Sequence, residues 1–366
     1  MPSAPNLIER DLATIRAEIK ADYESRTGRT LAPTDVENLL LETYAYREYL
    51  TREAIQYAGI QNLVNYAAAP MLDELGQLLG VVRQGAIAAT TTIRFQIVTG
   101  HGGVIIPSGT RISSVDGTAV FMTRTSVTVP IGTDTVDVVC VSQSAGSAAS
   151  GYAIGRVTNI LDPQPFLSSA SNIDATAGGA DQETDESLRI RIKLAPASFS
   201  NAGSTGAYQF HARSANPNII DVAVISPAPG QVQIFPLMAD GSITPAQILA
   251  AVDAACNDER VRPLTDTVTV TAPTRLTYSL VVDLVIFNTA DPAVVDAAAR
   301  AALQAFADAK RLQLGQDIID SQVIAAAQVA GVYRATLPGF TNIIVSPTQF
   351  PFCTLIDVNI TGTTAG

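Results

Sequence analysis

The sequence predicts an α+β multidomain protein: long N-terminal helices, a small β-sandwich or barrel module, then two mixed α/β domains. Three observations predict it. Over residues 1–80 apolar residues recur at three- and four-residue steps, the spacing of one helix face. Over 90–160 Thr, Val and Ile dominate, alternate, and are punctuated by Gly and Pro turns. From about 184 onward, strand-like and helix-like stretches alternate at the pitch of compact two-layer units. A chain of 366 residues is long enough for two or three hydrophobic cores. The expected division is 1–89 helical, 90–162 β-rich, 163–275 an α+β domain behind a flexible connector, and 276–366 a C-terminal α+β domain.

In the first region Leu7, Ile8, Leu12, Ile15 and Ile19 lie on one helix face, and Gly28 breaks the pattern. Thr34-Asp35-Val36-Glu37 reads as a capping box, with Thr34 accepting from the amide of Glu37. A single helix is expected from Asp35 to about Ala69, ending before Pro70, with Gly59 as a candidate kink. At 1.5 Å per residue it would be roughly 50 Å long, more than a small domain needs. Part of its apolar face is therefore expected to meet another chain; a helical hairpin packed on its own domain is the alternative.

In the second region, 93–98, 127–129 and 136–141 read as strands. Residues 163–183, rich in Pro, Ser, Ala and Gly, read as a connector and a candidate hinge. A helix is expected from Thr184 or Asp185, both good caps. A second follows from Gly206 to about Ala215, then strands over 219–225 and 231–237. Thr244 and Pro245 open another helix, as cap and first helical residue. Further on, 268–271 and 276–287 are β-rich, Asp291-Pro292 starts a helix of about 20 residues, and 320–330 is a shorter helix. Residues 332–337, 343–345 and 354–360 supply late strands.

Composition narrows the function. Charged residues are 16%, below the usual ~25%, and mean hydropathy is +0.23. No stretch reaches the ~18 apolar residues of a membrane span, so no membrane insertion is expected; the hydropathy points to surfaces covered by other subunits, with abundant Ala, Val and Ile as the alternative source. A net charge of −11 without blocks of Lys and Arg excludes a broad nucleic-acid footprint. Cys140, Cys256 and Cys353 are too far apart for a disulfide framework or a zinc pattern and read as reduced, partly buried thiols. Residues 1–11 carry Glu9, Arg10 and Asp11 without a signal-type apolar run, so synthesis in the cytoplasm without standard export is expected.

Chemistry is sparse. His101 sits in a glycine turn with no neighbouring second ligand, and no Gly-x-Ser-x-Gly elbow supplies a nucleophile. His211 reads as a packing or interface residue on a helix. Asp181, Glu183, Asp185 and Glu186 cluster where a helix begins, which the macrodipole favours; they are also a candidate hard-cation cluster. Gly203-Ser204-Thr205-Gly206 precedes a helix but lacks the Lys of a phosphate loop. No catalytic residue, metal or cofactor is expected.

The segment Gly178-Gly179-Ala180-Asp181-Gln182-Glu183-Thr184-Asp185-Glu186-Ser187-Leu188-Arg189 resembles the baseplate J-like family of contractile tails and related injection machines. The resemblance continues through Ala202-Gly203-Ser204-Thr205-Gly206-Ala207-Tyr208, Ala212, Ile220 to Val224, and the Pro229-Gly230 turn before Val232. It implies a structural baseplate wedge subunit in the virion tail, made and assembled in the bacterial host cytoplasm, with no catalytic residues. Implied partners are a second copy of the chain, a second wedge protein, a lysozyme-like wedge protein linking to the sheath, and, indirectly, the central spike or hub. The long helix resembles the segment that enters a three-chain bundle, and Val36, Leu39, Leu40, Leu50, Leu63 and Val64 are its candidate contacts. Ring contacts are implied for about 276–366. A host-receptor or carbohydrate-binding tail component is the alternative, and a hydrolase is a third reading.

Overall fold

The computed structural model describes residues 3–199 and 203–365; Ala202, part of the second signature, lies outside the described residues, as do positions 1, 2, 200, 201 and 366. The chain divides into two compact units, residues 1–83 with 188–193, and residues 84–187 with 194–366.

The first unit holds α1 (Leu12–Thr27), α2 (Val36–Ile60) and α3 (Met71–Gln77). Asp11 caps α1 by accepting from the Thr14 amide at 2.8 Å, and Gly28 ends it at φ 68, where a side chain would be strained. Leu7 and Ile8 precede this helix rather than lie on it. α1 packs along α2, burying Ile15 and Ala45. Gln56 is buried on the same face and clamps the extended N-terminal segment, accepting from Leu7 N at 2.8 Å and donating to Pro5 O at 2.7 Å.

Two expectations for α2 are corrected. Asp35, not Thr34, is its N-cap residue, and the Asp35 carboxylate accepts from Ala32 N, so the capping box does not form. The helix stops at Ile60, about 37 Å from its start at 1.5 Å per residue, instead of reaching Ala69. The chain then turns. Gln61 Oε1 accepts from Ala68 N at 2.9 Å, and Arg189 donates to the carbonyls of Val64 (2.7 Å) and Ala67 (2.6 Å). Those carbonyls bond to a guanidinium from far along the chain, not to the next helical turn. Gly59 lies one residue from the helix end, where Leu7 packs against it.

The second unit begins with strands β1 (Ala88–Ile97), β2 (Val104–Ile106), β3 (Arg111–Ser114), β4 (Val120–Thr123), β5 (Val127–Val129), β6 (Thr135–Ala145), β7 (Val157–Ile160) and β8 (Leu167–Asn172). Six of them form an antiparallel sheet in the order β7-β3-β4-β6-β1-β8, while β2 and β5 pair separately. Inward alternation along the strands buries Ile93, Phe95, Ile112, Phe121, Cys140 and Val157. The sheet curls into a nearly closed barrel, and buried Asn172 bridges its ends. Its Oδ1 accepts from Val157 N at 2.9 Å, and its Nδ2 donates to Ala153 O (3.0 Å) and Asp174 O (2.7 Å). The expected connector over 163–183 is therefore corrected: it supplies β8, hydrogen-bonded to β1, and the expected boundary at 162 cuts through the barrel.

Helices α4 (Asp185–Ser198) and α5 (Thr205–Ala215) follow, then β9 (Ile219–Ile225), β10 (Gln231–Met238), α6 (Ala246–Cys256) and β11 (Thr267–Val270). β9 and β10 pair antiparallel, and α6 carries the chain over to a parallel β11. Tyr208, Ala212, Ile234, Val252 and Cys256 form the core. α6 starts one residue later than expected, because the Thr244 hydroxyl donates to Pro236 O instead of capping, leaving Pro245 at the N-cap.

The last elements are β12 (Thr274–Phe287), α7 (Pro292–Arg311), α8 (Asp320–Ala327), β13 (Val332–Thr336) and β14 (Gln349–Thr364). The sheet order is β13-β12-β14, with β12 and β14 parallel. Leu280, Val282, Leu284 and Ile286 on β12 pack with Val295, Ala299 and Leu303 of α7. Residues 343–345 do not form a strand; Ile343 makes one isolated bridge to Ile318.

Candidate functional site

Two kinds of candidate emerge: the signature residues, and the apolar surface of α2. The signature residues are structural keystones. Gly179 is buried so tightly that a Cβ there would lie 2.5 Å from Gly146 O and 2.7 Å from Ser150 Oγ. Gly178, at φ +83, adopts a backbone that favours glycine. Two residues beyond Gly179, Asp181 caps the short 3-10 turn Ser147–Ala149, accepting from Ser147 N at 2.9 Å and Ser147 Oγ at 2.6 Å. The Ser147 hydroxyl and amide together hold the Asp181 carboxyl below its ordinary range. Buried Glu183 clasps Gln84 from both sides: its carboxylate accepts from Gln84 N and its own amide donates to Gln84 O, each at 3.0 Å.

Thr184 is the N-cap of α4, accepting from Ser187 N at 3.3 Å, and Asp185 and Glu186 occupy the first turn, where the helix dipole favours them. Leu188 is fully buried and Arg189 nearly so. The four carboxylates thus serve separate tasks; among the described residues no three His, Cys, Asp or Glu side chains are grouped to hold a metal ion. Further on, Gly206 lets α4 and α5 approach, since a Cβ would sit 2.9 Å from Ala197 Cβ. A Cβ on Gly203 would meet the Asp266 carboxylate at 2.7 Å, the same group that accepts from the Tyr208 hydroxyl at 2.9 Å. Burial, then Asp266, pushes the Tyr208 phenol up. Pro229 and Gly230 turn β9 into β10, and Gly230 O accepts from Thr267 N to start β11. Sequence reading found these positions by resemblance; their contacts supply the reason.

On α2 the arrangement differs. Val36, Leu39, Leu40 and Leu50 are 69%, 57%, 66% and 39% exposed, with Tyr46 and Tyr57 exposed beside them. At about 100° per residue these six fall within an arc of about 120°, roughly opposite buried Ala45 and Gln56. Tyr46 and Tyr57 are additions to the candidate contacts named from sequence. Leu63 and Val64 stand in the turn after the helix, Leu63 exposed and Val64 half-buried, so they do not extend the row.

His101 lies in a barrel loop, its Nε2 3.0 Å from Thr133 O and its Nδ1 accepting from Gly103 N. His211 is half-buried edge-on to Phe210, and burial lowers its pKa. Burial raises the Cys140 and Cys256 thiols to about 12, as inert core residues.

Comparison with known proteins places these features. The Baseplate J-like protein barrel domain matches residues 92–179, the Baseplate J-like central domain 200–272, and the Baseplate J-like protein C-terminal domain 278–359. Baseplate protein J of Escherichia phage P2 is 37% identical over 174 residues, which are 47% of this chain and 57% of that protein. The match therefore spans little more than half the length of the relative. A cryo-EM structure of the anti-feeding prophage baseplate, six-fold symmetrised, aligns over 93% of this chain and 89% of that one, at 14% identity and a TM-score of 0.46, too loose to bear on function. Three successive domains of one family, matched in order between residues 92 and 359, make this chain a member of the baseplate J-like family.

Proposed function

We propose that the protein is a structural wedge subunit in the baseplate of a contractile phage tail or a related injection particle. It acts through surfaces shared with neighbours and catalyses no reaction. The observation that supports this best is the exposed apolar row on α2: Val36, Leu39, Leu40, Leu50, Tyr46 and Tyr57. A charged, solvated helix face needs no such row, whereas a helix bundle needs a continuous apolar seam. Its partners in the bundle are a second copy of this chain and a second wedge protein. The C-terminal domain makes the ring contacts, a lysozyme-like wedge protein links the ring to the sheath, and the spike or hub is reached indirectly. In the mechanism proposed, ring contacts hold a closed arrangement, and a signal from receptor-binding parts shifts the population towards an open ring that releases the sheath. Trigger transmission then passes through whole domains. The barrel is closed by Asn172 and bonded through β8, so it moves as one body and residues 163–183 do not act as a hinge.

The test is co-expression with the adjacent tail proteins, followed by size-exclusion chromatography and electron microscopy. A stable complex seen at the baseplate end of tails is expected. A lone monomer that ignores those proteins and binds host polysaccharide instead would overturn the proposal.

A further inference from the structure

We propose that the open half of β12 accepts an extended strand from a neighbouring polypeptide, laid antiparallel to β12 and in line with β13. The proposal rests on the assembly role above and names a second mode of attachment. β12 is 14 residues long and pairs with β14 along its whole length, but on its other edge β13 covers only Asp283 to Ile286. The direction of the uncovered backbone groups follows from the bonds that exist. Tyr278 O accepts from Thr354 Oγ and Leu284 O from Thr361 Oγ, so even-numbered residues address β14. Phe287 N donates to Gly331 O on the β13 side. Successive residues of a strand alternate, so the N–H and C=O groups of Arg275, Thr277, Ser279 and Val281 face the uncovered edge. All four residues are exposed.

The outer edge of β14 and the open half of β12 are built differently. The outer edge of β14 carries Pro351, and two extra residues, Thr354 and Thr361, bulge it. Proline and bulges are the devices that keep an edge from taking another strand. The open half of β12, residues 274–282, has neither proline nor glycine, keeps an unbroken alternation, and is rich in β-favouring Thr, Tyr, Leu and Val. Just beyond β13, Pro338 and Gly339 turn the chain away where it would otherwise have continued the pairing. With Phe340, Thr341 and Ile343 they wall a groove of about 330 Å³ beside Thr277, Ser279 and Val281. Backbone donors and acceptors in a row are complemented by another extended backbone, which defines the occupant. It is a strand of about four to six residues, apolar where it meets Phe340 and Ile343, which pack on the core, and polar beside Thr277 and Ser279.

The test is amide hydrogen exchange of the full chain, free and within isolated tail particles. The amides of Thr277, Ser279 and Val281 are expected to exchange quickly in the free protein and at least a hundredfold more slowly in particles. Ser279→Pro, which deletes an outward-facing N–H, is expected to enter particles at least tenfold less than wild type. Ser279→Ala, which keeps the backbone, enters at the wild-type level. The chain present in particles with those three amides exchanging at the free rate would overturn this proposal alone. A chain absent from particles would overturn the baseplate reading and this one with it.

Discussion

Replacing Leu39 and Leu40 by glutamine separates folding from assembly. Glutamine has nearly the helix propensity of leucine, so α2 itself is hardly perturbed. The two side chains are 57% and 66% exposed in the single chain, so most of their apolar surface contributes nothing to its folding. Burying a whole leucine contributes about 1.5–3 kcal/mol, and burying the exposed part of each on assembly therefore contributes about 1–2 kcal/mol. The pair is worth about 2–4 kcal/mol, a loss of roughly 30- to 700-fold in association. The assay is a titration against the second wedge protein, with a thermal melt of each chain alone. Ile131→Gln is the control, since Ile131 is 74% exposed in a loop of the barrel, outside the helical unit that holds α2. Association within twofold of wild type, or an equal loss in the control, would mean that Leu39 and Leu40 are not buried on assembly.

Three further outcomes are expected. Asn172→Ala leaves the buried Val157 amide without a partner, while Ala153 O keeps Arg156 N and Asp174 O keeps the Thr91 hydroxyl, so at about 1–3 kcal/mol for the one orphaned group it should cost about 1–3 kcal/mol, read as a lower urea midpoint. A loss below about 1 kcal/mol would mean that the barrel does not depend on this bridge. Gly179→Ala overpacks a site where Cβ meets backbone at 2.5 Å and should cost about 1–3 kcal/mol; Gly85→Ala, with open space, should leave the melting temperature unchanged. Equal melting temperatures for the two variants would contradict the packing argument. The Ser114 and Thr118 groups around Asp116, and Arg111 beside Asp162, lower these carboxyls from 3.8 to about 2. A lowered folded-state pKa gives stability that is present above 3.8 and lost as pH falls through about 2. The melting temperature should fall over that window, and more shallowly in Asp162→Asn; an identical slope in that variant would count against the assignment.

Local signals were legible in the sequence and long-range ones were not. Thr184 and Asp291 cap their helices as their residue types and spacing imply, because a cap involves neighbours three residues away at most. The end of α2 was misplaced because its cause, Arg189 binding the carbonyls of Val64 and Ala67, comes from more than 120 residues along the chain. β8 passed for a connector because its sequence, Leu-Ser-Ser-Ala-Ser-Asn, is small and polar. The barrel uses that smallness, turning Ala170 and Asn172 inward, with Asn172 as the closing bridge. The Gly178-Gly179 pair was visible as a motif, but its physical demand appears only once Gly146 and Ser150 are folded against it. The α2 row was half legible: periodicity gave an apolar stripe, while which stripe remains exposed depends on where α1 packs.

A wedge subunit of this kind must offer the apolar row of α2 to other chains. Thiol labelling of Leu40→Cys tests it most directly, with the same reagent applied to the free protein and to purified tail particles containing it. Rapid modification of the free chain and strong protection in the particle are predicted. Equal labelling in both states would contradict the claim.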